Sequence, residues 1–158
     1  MIQRIQSVYL LISTIFLVLS FFFPYLTFGD VESGNYVNLT ICWVTYFGDV
    51  KANIESSYYT VSILVSIATL ISFFTIFLYK NRLLQIKLLR ANVLLQTLFY
   101  ALVFYLKDSI SMAPAELIND YEFNISISFV AVSIIMNLLA IKGIKYDEKL
   151  VKAADRIR

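Results

Sequence analysis

The chain has 158 residues, 59% of them hydrophobic and 15% charged, with a mean hydropathy of +0.76 and a formal net charge of +2. Soluble domains average about 45–50% apolar and about 25% charged residues, and a chain this short cannot bury the excess; the composition points to a bilayer as solvent, and the small net charge gives no sign of a nucleic-acid binder. With no histidine, one cysteine (Cys42), four glycines and two prolines, the chain lacks the commonest general base and metal ligand, any internal disulfide or CxxC pair, and the glycines of a phosphate-binding loop.

Four stretches carry no charged residue: 5–29, 56–79, 91–106 and 123–141. A helix needs about 20 apolar residues to cross about 30 Å of hydrocarbon. The first stretch predicts a span over about 5–28. It is too long for the apolar core of a signal peptide, and Phe21-Phe22-Phe23-Pro24 stands where a small-residue cleavage site would be, so it reads as uncleaved. Gln6, Ser13, Ser20 and Thr27 recur every seven residues along it, which keeps them near one stripe.

The segment 30–55 carries Asp30, Glu32, Asp49 and Glu55 against Lys51. Its 36–47 portion is β-prone with partial alternation, and is read as an interfacial loop, a short β-hairpin or an extended cap over the helix ends. A second span is predicted over 57–79, with Ser62, Ser66 and Thr69 at helical spacing and Ser72 and Thr75 nearby. A third runs over 83–106. Lys87 and Arg90 lie in its first turns, where long basic side chains snorkel to head groups. Asn92 and Gln96 sit at i,i+4 within it. In the following loop, Ala113-Pro114-Ala115-Glu116 reads as a helix start. The fourth span is predicted over 123–141, capped by Asn124, with Ser133 and Asn137 at i,i+4. The basic tail 142–158 reads as a separate amphipathic helix capped by Asp147, able to lie on an anionic leaflet or to dock a partner.

The charge alternates between spans. Lys80, Arg82, Lys87 and Arg90 give the second loop +4; the tail has six basic and three acidic residues; each remaining loop holds a single Lys. The positive-inside rule counts Lys and Arg and places both termini in the cytoplasm. Tyr25, Tyr36, Trp43, Tyr46, Tyr58, Tyr59, Tyr105 and Tyr121 then fall at or beyond the outer ends, and Tyr9, Tyr79 and Tyr146 near the inner ones, as interfacial aromatics should. The expected architecture is a single all-α integral membrane domain over 1–158, a four-helix transmembrane bundle with the amphipathic tail helix.

No ionisable residue falls in the inner two-thirds of any span, which argues against proton-coupled carriers. Paired thiols and buried acids for membrane enzymes are also missing from the expected spans. A lipid-modifying enzyme would have to run on the Asp and Glu residues of the outside loops, Asp108, Glu116, Asp120 and Glu122 among them. Asn38-Leu-Thr and Asn124-Ile-Ser are taken as chance sequon matches. The polar residues Ser13, Ser20, Ser62, Ser66, Thr69, Asn92, Gln96, Ser133 and Asn137 suit helix–helix packing, where small hydroxyls allow close approach and amides bond across helices. The alternative is that they line a conduction path shared between copies.

The segments Met1-Ile-Gln-Arg-Ile-Gln-Ser-Val-Tyr-Leu-Leu, Lys80-Asn-Arg-Leu-Leu-Gln-Ile-Lys-Leu-Leu-Arg-Ala-Asn92 and Asp147-Glu-Lys-Leu-Val-Lys-Ala-Ala-Asp-Arg-Ile-Arg158 resemble a family of small four-span inner-membrane proteins of Bacteroidetes. That family has no assigned function, so the resemblance implies lineage, location and layout only. All three segments fall on the expected cytoplasmic side. There Gln3, Arg4, Gln6, Asn81, Arg82, Gln85, Lys87, Arg90, Lys149, Lys152, Arg156 and Arg158 are candidate contacts to a partner or to lipid. The expectation is a non-enzymatic accessory or scaffold subunit of a larger inner-membrane or envelope complex, bound to lipid and to a multi-pass partner, with no cofactor, metal or nucleic acid. The alternative is a small homo-oligomeric channel or transporter.

Overall fold

The computed structural model describes residues 2–30, 34–48, 51–52, 55–79, 81–109, 112–113 and 121–156. Four helices dominate: α1 (Ile2–Leu19), α2 (Glu55–Phe77), α3 (Arg82–Ser109) and α4 (Ile125–Arg156). Six short strands accompany them: β1 (Leu26–Asp30), β2 (Asn35–Leu39), β3 (Val44–Phe47), β4 (Lys51–Ala52), β5 (Met112–Ala113) and β6 (Tyr121–Phe123). Helices α2, α3 and α4 are long and apolar enough to cross a membrane; the apolar part of α1, Ile5–Leu19, is shorter. Their outward faces are greasy: Phe74, Phe77, Leu94 and Tyr59 are among many exposed large apolar side chains. Water would penalise such a surface, and a bilayer removes the penalty. This is the surface of a membrane protein.

Helix α1 packs on α4 and α2, and α3 packs on the same two, so α1 and α3 lie diagonally across the bundle. The α1–α4 pair is antiparallel. Ser126 Oγ donates to the Ser20 carbonyl (2.9 Å), Ser13 and Ser133 hydroxyls meet at 2.8 Å, and Gln6 Nε2 donates to Asp147 Oδ2 at 2.5 Å. The two chain ends and the α2–α3 turn therefore share one end of the bundle.

The first helix ends well short of the predicted residue 28. Backbone bonds from Phe21 to Val18 and from Phe22 to Leu19 tighten the last turn, and Pro24 cannot continue a helix while pushing Phe23 extended. The chain then turns into a sheet. Tyr25 N–H bonds the Leu39 carbonyl, and β1 pairs antiparallel with both β2 and β6, giving the order β3-β2-β1-β6. The fold is thus helical with a four-stranded sheet and a β4–β5 pair, rather than all-α with one hairpin.

The β2–β3 hairpin does form within the β-prone 36–47 segment. Thr40 closes it twice: its hydroxyl donates to the Trp43 carbonyl (2.5 Å) and accepts from the Trp43 N–H (3.1 Å). Leu26, Phe28, Val37 and Leu39 on the sheet join Leu17, Val61, Leu64, Phe99, Val103 and Val130 of the helices in one apolar cluster. The sheet is a lid over the end of the bundle, held by burial of its alternate residues.

Gly29 sets the close approach of β1 and β2. Its φ is +97°, and a Cβ there would stand 2.4 Å from the Asn35 carbonyl oxygen. Ala113 is a strand residue, and the rest of the predicted 113–116 helix start lies outside the described residues.

The tail is not a separate helix. α4 runs unbroken for 32 residues, about 48 Å at 1.5 Å per residue. Asp147 lies well inside it, buried against Gln6, and so is no cap. Asn124 does sit at the head of α4, where its carbonyl accepts from Ile127 N–H. Its side-chain amide is used otherwise, donating to Thr27 Oγ1 at 2.6 Å.

Candidate functional site

The polar residues of the helices converge on the bundle interior in layers. Ser13, fully buried at the middle of α1, is the hub. Its hydroxyl lies 2.8 Å from that of Ser133, 3.3 Å from that of Ser72, and donates to Asn137 Oδ1 at 3.0 Å. Thr14 adds a bond to Ser72 (3.1 Å) and one to its own Leu10 carbonyl (2.9 Å). Three helices are stitched at one level by hydroxyls small enough to let the backbones approach.

A second layer lies toward the end carrying the chain termini. Gln6 bonds Asp147, and Gly143 makes room for it: a Cβ at Gly143 would press the Gln6 side chain at 3.1 Å. Gln85 Nε2 donates to the Thr75 carbonyl at 3.2 Å, tying α3 to α2. Four buried positions on α4 recur every seven residues, Ser126, Ser133, Ala140 and Asp147, opposite Gln6 and Ser13 on α1 and Ser20 just beyond its end. This matched seven-residue spacing is a sequence signal for the α1–α4 pair; its α1 half, in Gln6, Ser13 and Ser20, was read from the sequence, and its α4 half was missed.

Asn92 and Gln96 occupy the inward face of α3 at 0% and 1% exposure. All four of their side-chain polar atoms, and Nδ2 of Asn137, lack a hydrogen-bond partner among the described residues. Unsatisfied buried amides are costly, about 1–3 kcal/mol each by mutational measures. They are the most polar unspent groups inside the bundle.

The remaining predicted packing residues divide. Ser20 donates to the Leu17 carbonyl, Ser66 to Ser62 and Thr69 to Val65, all within their own helices. Ser62 bonds the Ile41 carbonyl and so fixes the lid to α2. Thr27 left the α1 stripe altogether: it is a β1 residue donating to Asn38 Oδ1 at 2.6 Å.

Of the predicted terminal-end contacts, Gln6 and Gln85 are buried and turned into the bundle, so they are not surface groups. Asn81, Lys87, Arg90 and Lys149 are exposed, and Arg82 is half-buried. Gln3 and Arg4 belong by their backbone to α1, Lys152 and Arg156 to α4, and Arg158 lies outside the described residues. Asn81, Arg82, Leu83, Leu84 and Lys87 of the α2–α3 turn and α3, with Glu148 of α4, line an open cavity of about 500 Å³.

At the sheet end, β3 is an edge strand, paired only with β2 among the described residues. Trp43, Tyr46 and Phe47 are exposed along it, although Phe47 also stacks on Tyr36 with ring centroids 4.4 Å apart. Cys42, in the turn before β3, is a free and exposed thiol. On the opposite edge, Lys107 Nζ stands 3.9 Å over the Tyr121 ring and helps hold β6 to the end of α3.

The family model described as "Domain of unknown function (DUF4293)" matches residues 2–157, nearly the whole chain. No curated protein matches.

Proposed function

The protein belongs to the DUF4293 family, and we propose that it is a non-enzymatic accessory or scaffold subunit of a larger bacterial inner-membrane or envelope complex. In this reading all four helices span the membrane. Both termini and the basic α2–α3 turn face the cytoplasm, in keeping with the distribution of Lys and Arg, and the sheet lies on the other side.

One observation carries the proposal. Among the described residues the β3 edge has no strand partner beyond β2, and Trp43, Tyr46 and Phe47 are exposed beside it. Open edges invite strand addition, and exposed aromatics are enriched where partners bind. The multi-pass partner therefore meets this subunit at the sheet end. The basic end, with Arg82, Lys87, Arg90 and Lys149, supplies lipid or further partner contacts.

A pore shared between copies would need Asn92 and Gln96, or Ser62, Ser66 and Thr69, turned toward a neighbour. Asn92 and Gln96 instead face this chain's own core, and Ser66 and Thr69 bond their own helix. The geometry supports the subunit reading over the channel.

The test is to isolate the tagged, full-length protein from native membranes in mild detergent and to identify what elutes with it. A stoichiometric multi-pass partner is expected, and Tyr46→Asp in β3 should cut its recovery several-fold. Elution of the protein by itself, with no stoichiometric partner, would overturn the proposal.

A further inference from the structure

We infer that the cavity between the start of α3 and the end of α4 is a binding site for the headgroup of one monoanionic phospholipid. Asn81, Arg82, Leu83, Leu84, Lys87 and Glu148 line an open space of about 500 Å³, a volume in the range of small-ligand sites. Its chemistry is mixed in the way a lipid is mixed. Arg82 and Lys87 supply two cations and Asn81 a neutral amide, while Leu83 and Leu84 are 65% and 46% exposed.

The arrangement along α3 gives the ligand a direction. Leu83, Lys87, Leu94 and Leu98 follow one another at spacings of four, seven and four residues, so they share a face of the helix. Leu94 and Leu98 are exposed on that face. Helical side chains lean toward the N-terminus, which brings the Lys87 ammonium back toward Arg82 in the first turn. A phosphodiester seated between these cations would send its acyl chains along Leu94 and Leu98, toward the middle of the apolar stretch. A soluble phosphate compound would use the cations and leave the leucines unused.

The charge selects the headgroup. Arg82, Lys87 and Glu148 together carry +1, which complements a single phosphodiester charge. Phosphatidylglycerol is therefore favoured over phosphatidylethanolamine and phosphatidylcholine. The inference rests on the proposed placement of the α2–α3 turn at a membrane surface, and not on the partner proposed for the sheet end.

The test is native mass spectrometry of the full-length protein in mild detergent, challenged with equal amounts of phosphatidylglycerol, phosphatidylethanolamine and phosphatidylcholine of identical acyl chains. One phosphatidylglycerol should be retained preferentially. Because a basic residue near a membrane surface contributes about fivefold to anionic-lipid binding, Arg82→Gln/Lys87→Gln should lose about thirtyfold. Lys142→Gln/Lys145→Gln, which removes two exposed cations outside the cavity, should keep the preference. Helical circular dichroism and monodisperse elution report folding. If the double variant fails them, the single Lys87→Glu at an exposed position takes its place and should also abolish the preference. Equal retention of the three lipids would overturn the inference. So would a preference that survives loss of Arg82 and Lys87, or one lost equally in the Lys142/Lys145 variant.

Discussion

At the scale of single residues, the interior divides into satisfied and unsatisfied polar groups, and the two respond oppositely to substitution. Ser13 joins three helices through its hydroxyl. Ser13→Ala should destabilise the fold by about 1 kcal/mol, given the modest value of polar contacts between apolar helices. Ser13→Leu should cost more, because the added volume has nowhere to go in a close-packed seam. Asn92 and Gln96 have no such partners among the described residues. Replacing a buried unpaired amide by an apolar side chain of similar size removes a desolvation penalty, so Asn92→Leu and Gln96→Met should raise the detergent-solubilised melting temperature. A fall of similar size in both variants would mean that the amides are satisfied in the folded protein. The Gln6–Asp147 bond depends on the missing side chain at Gly143. Gly143→Val should push Gln6 aside and destabilise the bundle end comparably to Gln6→Ala, with little further loss in the double variant, as expected for one shared contact.

At the scale of elements, the sheet and the fourth helix carry the main departures from a simple four-span layout. Gly29 and Gly34 both have positive φ, and of these two a Cβ would meet neighbouring backbone at Gly29 and open space at Gly34. Gly29→Ala should therefore cost more than the roughly 1–2 kcal/mol of left-handed strain that Gly34→Ala incurs, because it also forces β1 and β2 apart. Thermal unfolding of the two variants side by side checks the order; equal losses would mean the strands yield freely at Gly29. The unbroken α4 makes a further claim. Amide exchange should show continuous protection from Ile141 through Asp147, since both are buried in one helix. A fast-exchanging break near Lys142 would restore a separate tail helix.

At the scale of the whole molecule, a seam of small polar residues holds α1 to α4, and an apolar lid closes one end. The other end is cut by a basic cavity. The lid gives a direct check on orientation. Cys42 is exposed beside β3; in the proposed inner-membrane orientation, a membrane-impermeant thiol reagent applied to intact cells with a permeabilised outer membrane should label it. Labelling only after the inner membrane is breached would reverse the proposed topology.

Composition and local runs of residues pointed to a bilayer as solvent and to four apolar helical segments, three of which form helices long and apolar enough to cross a membrane. A charge-free stretch of about 20 residues has few alternatives in lipid. Partial alternation in 36–47 left the β2–β3 hairpin as one of three readings, beside an interfacial loop and an extended cap, and only the pairing in the fold selected it. The rest needed the fold. β6 becomes a strand by pairing with β1, about 90 residues earlier in the chain, and β1 lies between β2 and β6 in the sheet. Their apolar letters are equally those of a helix end, which is why 20–28 read as part of the first span. Asp147 and Gln6 looked like a cap and a surface amide until the antiparallel packing of α1 and α4 brought them within 2.5 Å. The cavity joins Arg82 and Lys87 to Glu148 more than 60 positions away. Contacts of that separation are set by which helices neighbour one another, and this is decided by packing the whole bundle, not by any local pattern of residues.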